Sequence, residues 1–181
     1  AIHNTTVGED NVAVGWYALS GASTTSTNQR NVAIGVGSMS GTNAGAGYNV
    51  AVGYGTLDAD MTSAADNNTG VGYLALSGVT SGANNTGIGQ DALKAVTTGT
   101  HNVAVGARCG DALTDGQFNV FVGEFAGSST TSVNNAVFIG QSAGASADVS
   151  ADGAVGIGLS ALGVLTSGAG SVAVGHQAGD S

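Results

Sequence analysis

A five-residue phrase returns along the whole chain at a spacing close to seventeen residues, and a repeat this short constrains the fold more than any other feature. Asn-Val-Ala-Val-Gly stands at 11–15, 49–53 and 102–106, and Asn-Val-Ala-Ile-Gly at 31–35. Relaxed versions stand at 4–8, 68–72, 85–89, 119–123, 136–140, 154–158 and 171–175. From the second phrase on, the closing glycines are Gly15, Gly35, Gly53, Gly72, Gly89, Gly106, Gly123, Gly140, Gly158 and Gly175. Their gaps are 20, 18, 19, 17, 17, 17, 17, 18 and 17 residues. The 181 residues therefore divide into a partial lead-in unit, 1–10, and ten units over 11–181, with no linker and no second domain. So short a unit cannot bury an apolar face alone, so successive units must stack and share one interior.

Aligned on the glycine, each column has a physical task. The second position of the phrase is Val or Thr and the fourth is Val or Ile, with a small residue between them except at Phe121 and Phe138. Apolar, small, apolar is period two, the pattern of a short β-strand. The closing glycine suits a positive φ or a close approach of another backbone. Three residues later comes a small side chain, then Leu or Met in six units and Gly in four, then a Ser/Thr/Asn/Gly return of variable length. A helix is excluded, because no column follows a 3.6 period and glycine at this density disfavours one. The expectation is an all-β parallel β-solenoid or β-roll of about ten coils, ~50 Å long at the ~4.8 Å rung spacing. Val14, Ile34, Val52 and Val71 should form one vertical file, with the branched side chains filling the interior. The leading Asn11, Asn31, Asn49, Asn68, Asn85, Asn102 and Asn119 should form an amide ladder that ends where Ala136, Ala154 and Ser171 replace them.

Composition narrows the function. Charged residues make up 8% of the chain and the net charge is −9, with Arg30, Lys94 and Arg108 as the only strong bases. A nucleic-acid partner would need a basic footprint, and direct membrane insertion would need a longer apolar run than 154–165. The chain begins at Ala1 without a signal-peptide pattern, so it reads as a processed product or a piece of something longer. His3, His101 and His176 share no ligand spacing, the scattered Asp58, Asp60, Asp66, Asp111 and Asp115 read as solvated, and no metal or cofactor is expected. Cys109 sits in a column of small residues and reads as a buried one. Pieces such as Gly35-Val36-Gly37 belong to the repeat and are not phosphate loops. No catalytic trio stands out, and the chain reads as no enzyme.

Asn31-Val-Ala-Ile-Gly-Val-Gly-Ser38 resembles the repeat of the YadA-like heads of trimeric autotransporter adhesins, and similar repeats occur in bacteriophage tail-fibre proteins. The resemblance implies a homotrimeric, extracellular β-roll on a bacterial surface or a virion tail fibre. Its task would be attachment to a host-surface glycan or protein receptor. The candidate binding residues are the aromatics just after the closing glycines, Trp16, Tyr17, Tyr54, Tyr73 and Phe125, which stacking should align into a stripe. The competing reading is that this stripe packs on neighbouring subunits or on the chain's own returns. The returns 22–29 and 128–132 offer hydroxyls to a glycan or are plain turns. Two other functions are carried alongside: an ice-binding solenoid, which would want regular threonine arrays, and a polysaccharide-degrading β-helix, which would want clustered acids and bases.

Overall fold

The computed structural model describes residues 8–21, 28–145, 152–164 and 168–180. His3, the lead-in phrase before Gly8, and residues 22–27 of the first return lie outside the described residues.

Each phrase forms a three-residue strand. In chain order these are β2 (Val12–Val14), β4 (Val32–Ile34), β6 (Val50–Val52), β8 (Thr69–Val71) and β9 (Thr86–Ile88). They continue as β10 (Val103–Val105), β11 (Val120–Val122), β12 (Val137–Ile139), β13 (Val155–Ile157) and β14 (Val172–Val174). All ten lie parallel in one sheet, in chain order and without register slip, so Val14 pairs Ile34, Ile34 pairs Val52 and Val52 pairs Val71. Short ribbons on the longer early returns pair β1 (Gly8–Glu9) with β3 (Asn28–Gln29) and β5 (Asn43–Ala44) with β7 (Met61–Thr62). No helix occurs among the described residues. The fold is a parallel β-solenoid in which nine turns of coil join ten strands.

Axial hydrogen bonds do not stop at the strand ends. Gly35 N–H donates to the Val14 carbonyl at 2.7 Å, Gly37 N–H to Trp16 at 2.9 Å and Leu19 N–H to Ser38 at 2.9 Å. The turns are thus stacked as tightly as the sheet, which pairs backbone groups that a loop would leave to water. The closing glycines are fixed by this stacking. Gly106 has φ 142°, and a Cβ there would lie 2.6 Å from the carbonyl of Gly123 in the next coil. The conformation and the crowding both require glycine.

Beyond each glycine the corner uses two left-handed residues around a small buried one, as in Leu74 (φ 53°), Ala75 and Leu76 (φ 54°). A side chain in that conformation costs roughly 1–2 kcal/mol. Burial of the second residue offsets it: Leu19, Met39, Leu57, Leu76 and Leu93 are fully buried.

The interior differs from the expectation. Val14, Ile34, Val52 and Val71 do stand in one file, but they point outward, and the middle column points in. Ala33, Ala51, Ala104, Phe121 and Phe138 are fully buried, whereas Val14 is 56% and Ile34 38% exposed. The reason is room. The Leu or Met of six corners and, in the fourth to sixth coils, Val79, Val96 and Leu113 of the returns already fill a narrow coil. The sheet can add only a small side chain. Phe121 and Phe138 confirm this by exception, because their coils carry Gly127 and Gly144 at the corner position. A Cβ at Gly144 would meet the Phe138 ring at 2.5 Å, and one at Gly127 would meet Phe121 at 3.1 Å. The two rings stack, with centroids 5.5 Å apart and planes at 8°.

The asparagine ladder forms and does more than join amides. Asn102 Nδ2 donates to Asn85 Oδ1 at 3.0 Å and to the Gly116 carbonyl at 2.8 Å, and Asn102 Oδ1 accepts from Asn119 N–H at 3.1 Å. Each of these residues therefore ties its strand to its own return and to the coils on either side. The Asn side chains from 31 to 119 are fully buried, and the ladder ends where Asn119 Oδ1 accepts from Ala136 N–H at 2.9 Å.

Candidate functional site

With the small column turned in, the outer face of the sheet carries two files of β-branched side chains. One runs from Val12 to Val172 and the other from Val14 to Val174. Of the twenty positions, eighteen are Val or Ile, the other two are Thr69 and Thr86 on adjoining strands, and none is charged. Many of these side chains are exposed, including Val12, Val14, Ile34, Ile88, Val103, Val105, Ile139, Ile157, Val172 and Val174. Period-two spacing signalled this face, but only as one of two possible faces.

The columns that continue the alternation past each strand end border the face. On the glycine side lie three of the expected aromatics: Trp16, Tyr54 and Tyr73, exposed by 71%, 56% and 51%. Tyr54 and Tyr73 stack with centroids 5.5 Å apart and planes at 11°, so each turns a ring face to the other. Tyr17 stands in the next column and meets Trp16 edge to face at 5.3 Å. Phe125 is not brought to this group; it lies three coils beyond Tyr73, partly buried, with the Arg108 guanidinium 5.4 Å from its ring centroid. The expected stripe is therefore two pairs and a separate ring.

A second border escaped the sequence reading. The residue before each leading Asn is left-handed and exposed, and this column holds Arg30, Tyr48, His101 and Phe118. Arg30 donates to the Tyr48 hydroxyl at 2.7 Å, and His101 stacks on Phe118 at 4.8 Å. The signal was present, since each of these residues directly precedes a leading Asn, a fixed place in the unit.

The remaining surface is polar and largely self-satisfied. Thr80, Thr97 and Thr114 form a regular column on the return, but each hydroxyl donates to the carbonyl of the next coil, at 3.1, 3.2 and 2.9 Å. Within the other expected return, Thr130 is buried and donates to the Gly127 carbonyl at 2.7 Å. The bases are paired: Arg30 with Asp10, Lys94 with Asp91 and Arg108 with Asp111. Asp60 and Asp66 accept from the backbone N–H groups of Thr42 and Gly47, both at 2.7 Å. His101 and His176 fall in different columns, and no group of three possible metal ligands occurs among the described residues. Burial raises the carboxyls of Asp58 and Asp111, in the second against the opposing charge of Arg108. Burial also pushes the Cys109 thiol up to about 12, as suits a side chain packed in the core rather than a nucleophile. No helix among the described residues is long and apolar enough to cross a membrane.

Compared with known proteins, the chain matches no family model, no curated protein and no solved structure. The geometry stands alone.

Proposed function

We propose that this chain is a non-enzymatic structural and adhesive segment of an extracellular, homotrimeric fibre or head, of the kind that projects from a bacterial surface or a phage tail. The observation that supports it best is the unbroken axial stack. The sheet and corners bond coil to coil along the described chain, with the asparagine ladder added as far as Ala136 and the threonine column from Thr80 to Thr131, so the unit is a stiff rod of nine rises, ~43 Å at the usual rung spacing. Such a rod holds weak binding groups at fixed distances, and presenting three of them together raises avidity on a repetitive surface. The Trp16 and Tyr17 pair is the best contact for a host glycan or protein receptor, because Trp16 is the most exposed aromatic ring among the described residues.

Labelled protein incubated with panels of bacterial and animal cells should bind a subset of them, and Trp16→Ala with Tyr17→Ala should weaken that binding. Absence of binding to every surface, together with cleavage of any polysaccharide in the same panel, would replace this reading with the enzymatic one.

One feature favours a second reading as an ice-binding solenoid: the outward face is regular and uncharged. The regular threonine column, by contrast, has its hydroxyl protons committed to the backbone. Thermal hysteresis in a nanolitre osmometer decides it; melting and freezing points that coincide remove it.

A further inference from the structure

We infer that the Val/Ile face is the surface through which copies of this chain pack on one another. The inference rests on the reading of the chain as a self-associating rod, and it names the face and what sets its level.

Size comes first. The two files cover roughly 600 Å² in projection, already at the upper end of the largest apolar patch on an ordinary monomer. With the bordering columns the strip approaches about 860 Å², close to the ~800 Å² per partner that a stable interface buries. Composition comes second. Neither file carries a charge, while the acids behind the net charge of −9 occupy borders, corners and returns. Two such faces meet with no carboxylate in either file, and the border acids Asp10 and Glu124 stand at the rim.

Commensurability selects the occupant. Ten rungs present a corrugation whose period is the sheet's own hydrogen-bond spacing. A partner with any other period would lose step within a few rungs. A second copy has the same period throughout.

A periodic face also has a weakness, because sliding by one rung replaces Val with Val. The interruptions fix the level. Thr69 and Thr86 break the first file at one place, and the borders change from Tyr54 and Tyr73 to Gln90, Ala107 and Glu124 along the rod.

Light scattering and native mass spectrometry of the whole chain test this. The unmodified protein should assemble, and Val105→Lys with Val122→Lys should release single chains with an unchanged far-UV spectrum. Ser132→Lys, on the exposed return, should assemble like the parent. Should the lysine variant not fold, the isosteric set Val103→Thr, Val105→Thr, Val120→Thr and Val122→Thr keeps the strand pattern. It should weaken association at least about tenfold. A two-chain mass dissolved by these substitutions upholds the face and removes the three-fold reading. Assembly that survives both variants places association elsewhere and overturns the inference while leaving the oligomeric rod intact. A parent protein that stays single at all concentrations overturns both.

Discussion

Replacing Asn102 with alanine isolates what the buried ladder contributes. In the native coil its side chain satisfies two backbone groups that have no route to water: the Gly116 carbonyl, at 2.8 Å, and the Asn119 N–H, at 3.1 Å. The amides on either side keep other bonds, since Asn85 Oδ1 still accepts from Asn102 N–H and Asn119 Nδ2 still donates to the Val133 carbonyl. The loss is therefore two orphaned backbone groups. At ~1–3 kcal/mol for each buried group left without a partner, Asn102→Ala should destabilise the rod by about 2–6 kcal/mol. Asn102→Asp should be worse still, because a carboxylate cannot donate and would face the Gly116 carbonyl and Asn85 Oδ1 in a fully buried position. Guanidinium unfolding followed by circular dichroism gives the global effect. Hydrogen exchange at the Asn119 amide gives the local one, and its protection should fall at least about tenfold. Unchanged exchange at Asn119, with a loss below about 1 kcal/mol, would mean that water replaces the side chain without penalty. The ladder would then not be sealed from solvent, and the reasoning would fail.

Three further outcomes follow from the same geometry. Gly106→Ala and Gly175→Ala share a strained φ, but only the first drives a Cβ into the next coil; the nearest contact at Gly175 is 3.8 Å away. Thermal melts should show a loss of ~1–3 kcal/mol at Gly175 and more than about 4 kcal/mol at Gly106, and equal losses would refute the axial clash. Phe121→Ala alone should cost about 3–5 kcal/mol, and adding Gly127→Leu should recover part of it, since Leu76 already occupies the equivalent left-handed corner (φ 54°) above a small strand residue. A double-mutant cycle without favourable coupling would contradict the shared-volume account. Burial raises the Asp58 carboxyl above its ordinary 3.8, so the folded state binds its proton more tightly than the unfolded state does. That contribution to stability is full below the ordinary value and is lost as pH rises through the raised one, so the protein should gain melting temperature on acidification through that window. Asp58→Asn should flatten the gain, and an unaltered pH profile in the variant would assign it to other groups.

Several of these features can be read from residues alone. The recurrence of Asn and Gly at fixed places gave the stacking direction, and stacking made the Asn102 bonds and the Phe121–Phe138 contact foreseeable. Trp16 and Tyr17 were legible as neighbours in sequence, and Tyr54 and Tyr73 as neighbours in a column. Phe125 was misplaced because two adjacent columns were merged into one stripe, although the chain turns a left-handed corner between them. Arg30, Tyr48, His101 and Phe118 were missed because their column also holds Asn67, Asn84 and Asn135, and the period-two pattern was read only from the leading Asn onward.

The chain's own order of residues determined that it is a coil of about seventeen residues, stacked in parallel and in register, because a repeated phrase can satisfy its backbone only against itself. It did not determine which side of each strand is the inside. Alternation marks two faces and treats them alike, and the usual tie-break, larger apolar side chains inward, gives the wrong answer here. Only closure of the coil decides it. Once the corner leucines and the return valines meet in the middle, the remaining space admits an alanine or a glycine, and the valines and isoleucines are left on the outside.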